Sequence, residues 1–501
     1  MNTRIASFLD RVSIRGNDGP LYGREMSVEM FFGALARHSA GPHQLFCSTP
    51  EARAFIEQLK LQAHPIDDLF EDFGRFPFDA WHDADANLGT AVRLRATYSK
   101  RLYPVTATPH VLSYQGLLDG WILNTLLADV RPCDAIVCIS RSAKTAIANL
   151  LAHVGDRLRV AHGGRYPFRG QLVVLPYSID TEHFRPRPRK KRDTFVLLWL
   201  GRLSAVDKGD LVPLLCVFRN LVRAFPTREL QLVIGGTGTP EYVAELRNAA
   251  AEFGVADRVH FRGAVEPEER HLLYANADVF VSPVDNMQET LGNTPLEALA
   301  SGVPQVVADW DGYRDMVVDG ETGFLIPTYW GHVDADENRR AGIYDGDELR
   351  DHFRLAQSVA IDLGAMERAL STLIRDDALR MRMAEASRAR ALSTFSEPVI
   401  MRRFDELWTH LGSIAKRLPF TPAAHYATPS FVEHFGHYAT ELLDENTKVI
   451  ATGEPLREPH RDLGLDMNVL EEILRKETLR GVDLRHAMWL MKHGMLKRGA
   501  R

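Results

Sequence analysis

The stretch FVLLWLGRLSAVDKG, residues 195–209, joins a short apolar run to a loop that carries two cations. Six apolar residues followed by a glycine are typical of a strand buried on both faces of a parallel sheet. Ligands of α/β proteins usually bind beyond the carboxyl ends of such strands, which is where Arg202 and Lys208 stand. The alternative is that both are ordinary solvated loop charges, as most Lys and Arg residues are.

Short apolar runs and helix-period segments alternate on both sides of this stretch, which is the pattern of βαβ units. The pattern is interrupted once, at RPRPRKKRD (185–193), where two prolines and six cations predict an interdomain linker. We therefore predict an α/β fold with two Rossmann-like doubly wound domains facing a cleft, plus a C-terminal helical extension. The predicted parts are 1–187, 188–396, a helix at 397–419 that returns to the first domain, and a helical accessory tail at 420–501, with a winged-helix-like arrangement as one option.

Composition restricts the class of protein. A chain of 501 residues exceeds one hydrophobic core, and 45% apolar with 25% charged residues is a globular balance. A formal net charge of −6 excludes a global basic field for coating nucleic acid. We expect a cytoplasmic location, because no basic-then-apolar leader or long apolar span is visible and the cysteines lack metal-ligand spacing. These cysteines are Cys47, Cys133, Cys138 and Cys216.

Three segments stand outside the alternating pattern. The basic run 185–193 could also contact an anionic membrane surface, which is the weaker alternative to a solvated linker. Residues 329–347 are a polar insertion. The tail 420–501 either packs as helices on the first domain or recognises a partner, and the sequence leaves both open.

A second motif, ETLGNTPLEALASGVP at 289–304, predicts a short helix. Thr294 is the expected N-cap and Pro295 the first helical residue. The N-terminus of such a helix offers free backbone N–H groups and the positive end of the dipole, which suit a phosphate. Glu297 then has two interpretations: a capping-box glutamate that bonds the Thr294 backbone N–H, or a ligand-binding carboxylate.

Taken together, five ordered motifs resemble the retaining glycosyltransferases of family 4, which have the GT-B architecture. The motifs are VVLPYSIDTEHFRP, GRLSAVDKG, LVIGGTG, VHFRGAV, and the E-x7-E motif ETLGNTPLE followed by ALASGVPQVVAD. The resemblance is closest over residues 172–328 and extends over 1–417. It implies a hexosyltransferase that uses a nucleotide-diphosphate-sugar as substrate, in the UDP, GDP or ADP form, without a further cofactor.

The resemblance also implies roles for individual residues. Arg202 and Lys208 match the catalytic cationic pair that stabilises the leaving diphosphate, and Glu289 matches a catalytic glutamate that lies against the donor sugar. Glu297 accepts hydrogen bonds from the ribose. The remaining donor contacts are implied for Gly201, for Arg262, Gly263 and Val265 around the base, and for Gly292, Asn293 and Thr294 at the phosphates.

On the N-terminal side, PVTATPHVL resembles the family segment that carries a histidine near the reaction centre, which implies a catalytic role for His110; the alternative is a structural histidine. The loop RGNDGPLYG corresponds to the family's glycine-rich loop and makes Gly19 a donor-site candidate, although Gly19 and Gly23 are not adjacent as in the family. A second departure is PYSID, where Ser178 stands in a turn that commonly has a glycine.

The implied reaction proceeds through an oxocarbenium-like state without an enzymic nucleophile, and the acceptor attacks on the face that the phosphate leaves. We expect no metal, because the two cations supply the charge. The Asp-x-Asp triplets at 83–85, 334–336 and 345–347 are interpreted as chance occurrences in polar loops.

Two other classes remain open. A nucleotide-sugar epimerase or another GT-B enzyme would use the same donor site, and a binding protein would use the tail as its recognition module. The acceptor is not identified by any motif.

Overall fold

The first half of the chain builds a seven-stranded parallel sheet with the strand order β3-β2-β1-β4-β5-β6-β7. The strands are Ile5–Leu9 (β1), Gln44–Cys47 (β2), Ala63–Pro65 (β3), Ala80–Asp83 (β4), Val105–Ala107 (β5), Ala135–Cys138 (β6) and Gln171–Val174 (β7). Nearly every residue of the central strands is buried, because helices cover both faces. The helices are Gly23–His38 (α1), Pro50–Gln58 (α2), Ile66–Glu71 (α3), Leu88–Tyr98 (α4), Leu123–Leu127 (α5) and Arg141–His162 (α6).

This computed structural model describes residues 3–10, 23–39, 41–114, 118–188, 193–266, 269–331, 348–422, 431–460 and 463–499. The chain divides into two compact units, Met1–His425 and Tyr426–Arg501. Both Rossmann-like sheets belong to the first unit.

The second sheet has six parallel strands in the order β10-β9-β8-β11-β12-β13. They are Phe195–Leu200 (β8), Leu230–Gly235 (β9), Val259–Gly263 (β10), Val279–Ser282 (β11), Gln305–Ala308 (β12) and Gly323–Ile326 (β13). The apolar run 195–200 is β8 and is completely buried, as its sequence predicts. Around it lie Val212–Ala224 (α7), Pro240–Glu252 (α8), Arg270–Ala275 (α9), Asn293–Ala300 (α10), Tyr313–Met316 (α11), Leu363–Arg375 (α13) and Asp377–Arg390 (α14), where α12 is defined below.

Between β13 and α13 the chain forms a strap, here defined as Thr328–Trp330 (β14), Glu348–Ala356 (α12) and Val359–Ile361 (β15). The two strands pair antiparallel, with Trp330 opposite Val359. Part of the predicted polar insertion, 332–347, lies outside the described residues, as do residues 189–192 of the predicted linker.

The helix Glu397–Ala415 (α15) packs on the first sheet's domain. Glu397 receives hydrogen bonds from Arg37, and Trp408 donates its indole N–H to Thr106 on β5 over 2.9 Å. Asp405 accepts from the backbone and hydroxyl of Thr3. The helix therefore follows the second sheet in sequence but contributes to the core of the first.

A buried ion pair fixes the middle of the first sheet. Both Arg95 and Asp134 are almost completely inaccessible, and their charged atoms lie 2.6 Å apart. Asp134 also accepts from the backbone N–H of Val105 at 2.9 Å and of Arg131 at 2.7 Å. One carboxylate thus joins α4, β5 and the start of β6.

The second unit has its own apolar core, formed by residues such as Leu470, Leu490 and Leu496. Its helices are Phe431–Phe435 (α16), Met467–Ile473 (α17) and Leu484–Lys492 (α18). The sequence predicted helices here but not the antiparallel pair Val449–Ala451 (β16) and Leu496–Arg498 (β17). Three-residue strands are too short to show an alternating pattern, which is why they were missed.

Candidate functional site

The loop after β8 lies against the glycine loop that follows β9. The backbone N–H of Leu203 donates to the carbonyl of Thr237 over 2.7 Å. Gly236 has a φ of +134°, and a Cβ there would meet the carbonyl oxygen of Gly201 at 1.7 Å. A side chain at this position would therefore separate the two loops, which explains the second glycine of LVIGGTG in physical terms.

Arg202 lies in the loop after β8, and its side chain is partly exposed to solvent. Its Nη2 lies 2.9 Å from Oδ2 of Asp207, and the Arg202 side chain is 24% exposed whereas that of Asp207 is 7% exposed. The buried carboxylate orients the guanidinium, which has five N–H donors in total. The guanidinium is therefore held in place while part of the side chain stays open to solvent.

Lys208 and Glu289 form an ion pair across the two motifs. The distance from Nζ to Oε2 is 2.7 Å, and Lys208 remains 28% exposed while Glu289 is 9% exposed. Ser204 shapes the turn, since its carbonyl accepts from the backbone N–H groups of Lys208 and Gly209. Lys208 and Glu289, which are 81 positions apart, thus bring the two motifs into contact.

The helix α10 begins two residues before the predicted start. Gly292, with a φ of +91°, is the N-cap, and no side chain caps the helix. The predicted N-cap Thr294 and the predicted first residue Pro295 lie inside the first turn, so this prediction is wrong. A Cβ on Gly292 would meet the ring of Tyr313 at 2.8 Å, so tertiary packing selects glycine as the cap.

The capping-box interpretation of Glu297 is also wrong. Its Oε1 accepts from Nη1 of Arg270 over 3.1 Å, and its Oε2 accepts from the hydroxyl of Tyr274 over 2.9 Å. The Tyr274 hydroxyl is also 3.0 Å from the carbonyl of Thr294. Glu297 is therefore a buried carboxylate that ties α10 to α9.

The predicted base-side residues lie at the end of β10. Arg262 is exposed and Val265 partly buried, while Gly263 has a φ of +65°. The carbonyl of Gly263 accepts from the backbone N–H of Gly236 over 2.7 Å. The structure thus places this segment next to the glycine loop and the end of β8.

His110 is buried at the carboxyl end of β5 with both ring nitrogens engaged. Nε2 lies 2.6 Å from the carbonyl of Ala84, so this nitrogen carries the proton and donates. Nδ1 lies 2.6 Å from the hydroxyl of Tyr177. The backbone carbonyl of His110 accepts from Oγ1 of Thr290 over 2.6 Å, which joins the first domain to the E-x7-E motif.

Two further N-terminal predictions differ in outcome. Gly19 lies outside the described residues. Ser178 is buried, and it is not among the non-glycine residues with positive φ in the described part of the chain, which are Lys60 and Asp311. The PYSID turn therefore requires no glycine.

Asp311 is a candidate that sequence reasoning missed. It has a φ of +42°, and its Oδ1 accepts from Oγ of Ser140, the N-cap of α6, over 3.3 Å. Burial raises the pKa of its carboxyl to about 8, and the charge of Glu289 contributes. The available signal was the Asp-Gly pair after an apolar strand, which marks a tight turn.

The triplet at 83–85 forms a local turn, since Oδ1 of Asp83 accepts from the backbone N–H of Asp85 over 2.9 Å. Burial raises the pKa of Asp83 to about 7. Throughout the described ranges, His, Cys, Asp and Glu form no group of three that could hold a metal ion. The other two triplets lie outside those ranges.

None of the helices in the described part of the chain is sufficiently long and apolar to cross a bilayer.

The second Rossmann-like half is similar in sequence to known proteins. Residues 194–335 match the family model described as Glycosyl transferases group 1. The phosphatidyl-myo-inositol mannosyltransferase of Mycobacterium tuberculosis strain H37Rv is 30% identical over 38% of this chain and 49% of its own length. The D-inositol 3-phosphate glycosyltransferase of Nocardia farcinica is 31% identical over 36% of this chain and 41% of its own length. The chain thus spans about half the length of these relatives, or less.

Solved structures show the fold over a larger part of the chain. Anabaena HepE in complex with UDP superposes with a TM-score of 0.55 at 16% identity, over 81% of this chain and 100% of that one. Sucrose-phosphate synthase from Thermosynechococcus elongatus gives 0.55 at 17% identity, over 82% and 100%. The two Rossmann-like sheets therefore have the GT-B architecture, as the motifs predicted.

Proposed function

We propose that this chain, which carries a group 1 glycosyltransferase domain, moves a hexosyl group from a nucleotide-diphosphate-sugar to an acceptor hydroxyl with retention of configuration. The finding that supports it most is the meeting of the two motifs. The Lys208–Glu289 ion pair brings the cations at the end of β8 to the uncapped N-terminus of α10. Free N–H groups and fixed cations are a favourable environment for a diphosphate.

The two cations are held by carboxylates but remain available to a ligand. Glu289 uses one of the three N–H donors of Lys208, and about a quarter of the side chain is open to solvent. Asp207 holds Arg202, whose side chain also stays partly exposed. Charge is thus positioned before the diphosphate arrives, so little reorganisation is needed when its negative charge develops.

In the proposed reaction the bond between the sugar C1 and the phosphate oxygen breaks first. The electron pair stays on the diphosphate, which Arg202, Lys208 and the backbone N–H groups at Gly292, Asn293 and Thr294 stabilise. The acceptor oxygen then bonds C1 on the same face, and its proton passes to the departing phosphate oxygen. No metal is required, because the cations and the helix terminus supply the charge.

His110 acts as a positioning residue in this proposal. Because its Nε2 donates to the Ala84 carbonyl, the ring orientation is fixed beside the E-x7-E motif. Glu289 lies between Lys208 and the donor sugar. Glu297 keeps α10 in place through Arg270 and Tyr274, and a ribose would have to share its carboxylate with them.

The experiment measures release of nucleoside diphosphate and of glycosylated product from UDP-, GDP- and ADP-hexoses. Activity should persist in excess EDTA after dialysis, and product NMR should show the donor's anomeric configuration. Lys208→Ala or Arg202→Ala should lower turnover at least about tenfold, since a charge-assisted hydrogen bond is worth about 1.5–3 kcal/mol. Arg258→Ala is the control, because Arg258 lies just before the start of β10, whereas Arg202 and Lys208 follow the carboxyl end of β8.

Activity that EDTA abolishes and Mn²⁺ or Mg²⁺ restores would refute metal independence. Unchanged turnover in both cation variants would refute the site. A changed sugar formed without acceptor would instead support an epimerase, and donor binding without any turnover would support a binding module.

A further inference from the structure

We propose that Trp310 and Trp330 form an acceptor subsite that takes a pyranose ring, so that the acceptor is a carbohydrate or carries a sugar at its reacting end. This inference rests on the proposed function and specifies its acceptor. Two tryptophans lie close together, each is held by a hydrogen bond, and the loop of Trp310 lies beside the E-x7-E motif.

Each indole is fixed by a hydrogen bond from its own N–H. Nε1 of Trp310 donates to the carbonyl of Asn286 over 3.0 Å, and Nε1 of Trp330 donates to Oγ of Ser358 over 2.9 Å. The ring centroids are 5.8 Å apart with an interplanar angle of 55°. Because the polar N–H groups are satisfied, what Trp330 presents to solvent, at 50% exposure, is apolar ring surface.

The loop that carries Trp310 lies against the E-x7-E motif. A Cβ on Gly312 would meet the carbonyl oxygen of Thr290 at 2.4 Å and Cα of Leu291 at 2.7 Å. Asn286, whose carbonyl holds Trp310, also donates its side-chain amide to the carbonyl of Val206 in the Arg202–Lys208 loop. The platform is therefore adjacent to the place assigned to the donor sugar and diphosphate.

The strap that carries Trp330 also reaches the first domain. Nε2 of His352 lies 2.9 Å from Oγ of Ser113, and the rings of His352 and Tyr114 are 4.2 Å apart. Ser113 follows His110 by three residues. The strap therefore extends from the donor domain to the segment after His110.

The surroundings of the platform fit a sugar better than an acyl chain. Asp309, next to Trp310 in sequence, forms an exposed ion pair with Arg314, with Nε and Oδ1 2.6 Å apart. Carboxylate and guanidinium groups suit the hydroxyls of a sugar, whose C–H face packs on an aromatic ring. An apolar chain bound here would remove water from both charged groups without replacing the lost hydrogen bonds.

Tyr329 provides a matched control. It is aromatic, 59% exposed and adjacent in sequence to Trp330. Successive side chains of a strand point to opposite faces, so Tyr329 is on the other side of the strap. A general effect of removing an exposed aromatic from β14 would appear in both variants, whereas a subsite effect would appear in Trp330→Ala alone.

The test uses methyl α-glucopyranoside, methyl α-mannopyranoside and methyl α-galactopyranoside as acceptor probes, with 1-octanol as the apolar probe. For at least one glycoside we expect Trp330→Ala to raise the acceptor KM about tenfold while the donor KM is unchanged. The acceptor KM of Trp330→Phe should stay within about threefold of wild type, and that of Tyr329→Ala should equal wild type. Equal effects of Trp330→Ala and Tyr329→Ala, or transfer to octanol alone, would overturn the proposal.

A measurement of donor binding distinguishes failure of the acceptor subsite from failure of the proposed function. If a nucleotide sugar binds and is hydrolysed but no methyl glycoside accelerates its turnover, the subsite is wrong and the proposed function stands. If no nucleotide sugar binds, the proposed function is wrong. The platform is then tested by tryptophan fluorescence during titration with the same glycosides, and a response equal in wild type and Trp330→Ala overturns it.

Discussion

Glu297 shows how a residue's neighbours change the interpretation of a motif. By sequence it fits a capping box, but its two carboxylate oxygens are taken by Arg270 and Tyr274. Burial, together with the charge of Glu297, raises the pKa of the Tyr274 hydroxyl well above its ordinary value, so it remains a donor at neutral pH. The carboxylate is therefore needed in its charged form for the packing of α9 on α10.

Glu297→Gln should consequently destabilise the fold. The amide offers one acceptor instead of two and faces a buried donor with its NH₂ group, so we expect a loss of about 1–3 kcal/mol in the free energy of unfolding. Thermal and urea unfolding measure it. Glu252→Gln, at an exposed helix end, is the control and should have no effect. A variant with unchanged stability but lost donor affinity would show that the carboxylate serves the ribose instead.

Asp311 should make stability depend on pH. Burial raises its pKa from 3.8 to about 8, with the charges of Glu289 and Asp315 adding to the rise and that of Arg314 opposing it. Between these two pH values the folded protein holds a proton that the unfolded chain has released. The contribution of this residue to stability is therefore complete below about pH 4 and declines as the pH rises toward 8.

Asp311→Asn removes the titration and tolerates the positive φ. We expect the melting temperature of the variant, relative to wild type, to increase steadily between pH 5 and pH 8. The control Asp257→Asn changes an exposed carboxylate. A difference in melting temperature between variant and wild type that is the same at every pH would contradict the raised pKa of Asp311.

At the scale of elements, the buried strands were the most predictable part. Runs such as 195–200 and 135–138 are apolar throughout because helices cover both faces of the sheet, and this pattern alone indicates a parallel sheet. The start of α10 was not predictable from local preference. The sequence offers Thr-Pro, but Gly292 packs against Tyr313, and that contact joins residues 21 positions apart.

The candidate site residues likewise divide into those that the sequence predicted and those that depend on tertiary packing. Arg202, Lys208 and Glu289 stand out because cations and a carboxylate follow buried strands, and the structure brings Lys208 and Glu289 into contact. Asp311 and the two tryptophans were missed, since their environment depends on the loop 309–313 packing against 290–291 and on the strap. Neither packing leaves a periodic signal in the sequence.

The Arg95–Asp134 pair supports a prediction for the first sheet. Asp134→Ala leaves a buried guanidinium without its partner and removes acceptors from two backbone N–H groups, which should cost about 3–5 kcal/mol of unfolding free energy. Urea unfolding followed by circular dichroism measures the loss. Asp156→Ala, in the exposed part of α6, should change it little. Similar stabilities of the two variants would show that the pair is not a major support.

At the scale of the molecule, several polar contacts join the two Rossmann-like halves. The backbone N–H of Arg141 donates to Oδ2 of Asp315 over 2.6 Å, and Ser140 donates to Asp311. Both contacts bring carboxyl groups of the second half to the N-terminus of α6, where the helix dipole favours the negative charge of Asp315. These contacts join the start of α6 to the loop 311–315 of the second half.

The second unit, Tyr426–Arg501, has a core of its own and supports a prediction about acceptor selection. Truncation after residue 425 should leave nucleoside diphosphate affinity unchanged and lower transfer to the natural acceptor. Calorimetry and product formation measure the two quantities on one protein. If donor affinity falls as much as transfer does, the unit has a structural role instead.

The central claim is that the end of β8 and the N-terminus of α10 together bind a nucleoside diphosphate. Isothermal titration calorimetry of UDP, GDP and ADP against wild type, Lys208→Ala and Arg258→Ala tests it most directly. We predict that at least one nucleotide binds wild type and Arg258→Ala equally, and that Lys208→Ala weakens its affinity about tenfold or more. Binding of no nucleotide, or equal affinity in wild type and Lys208→Ala, would contradict the account.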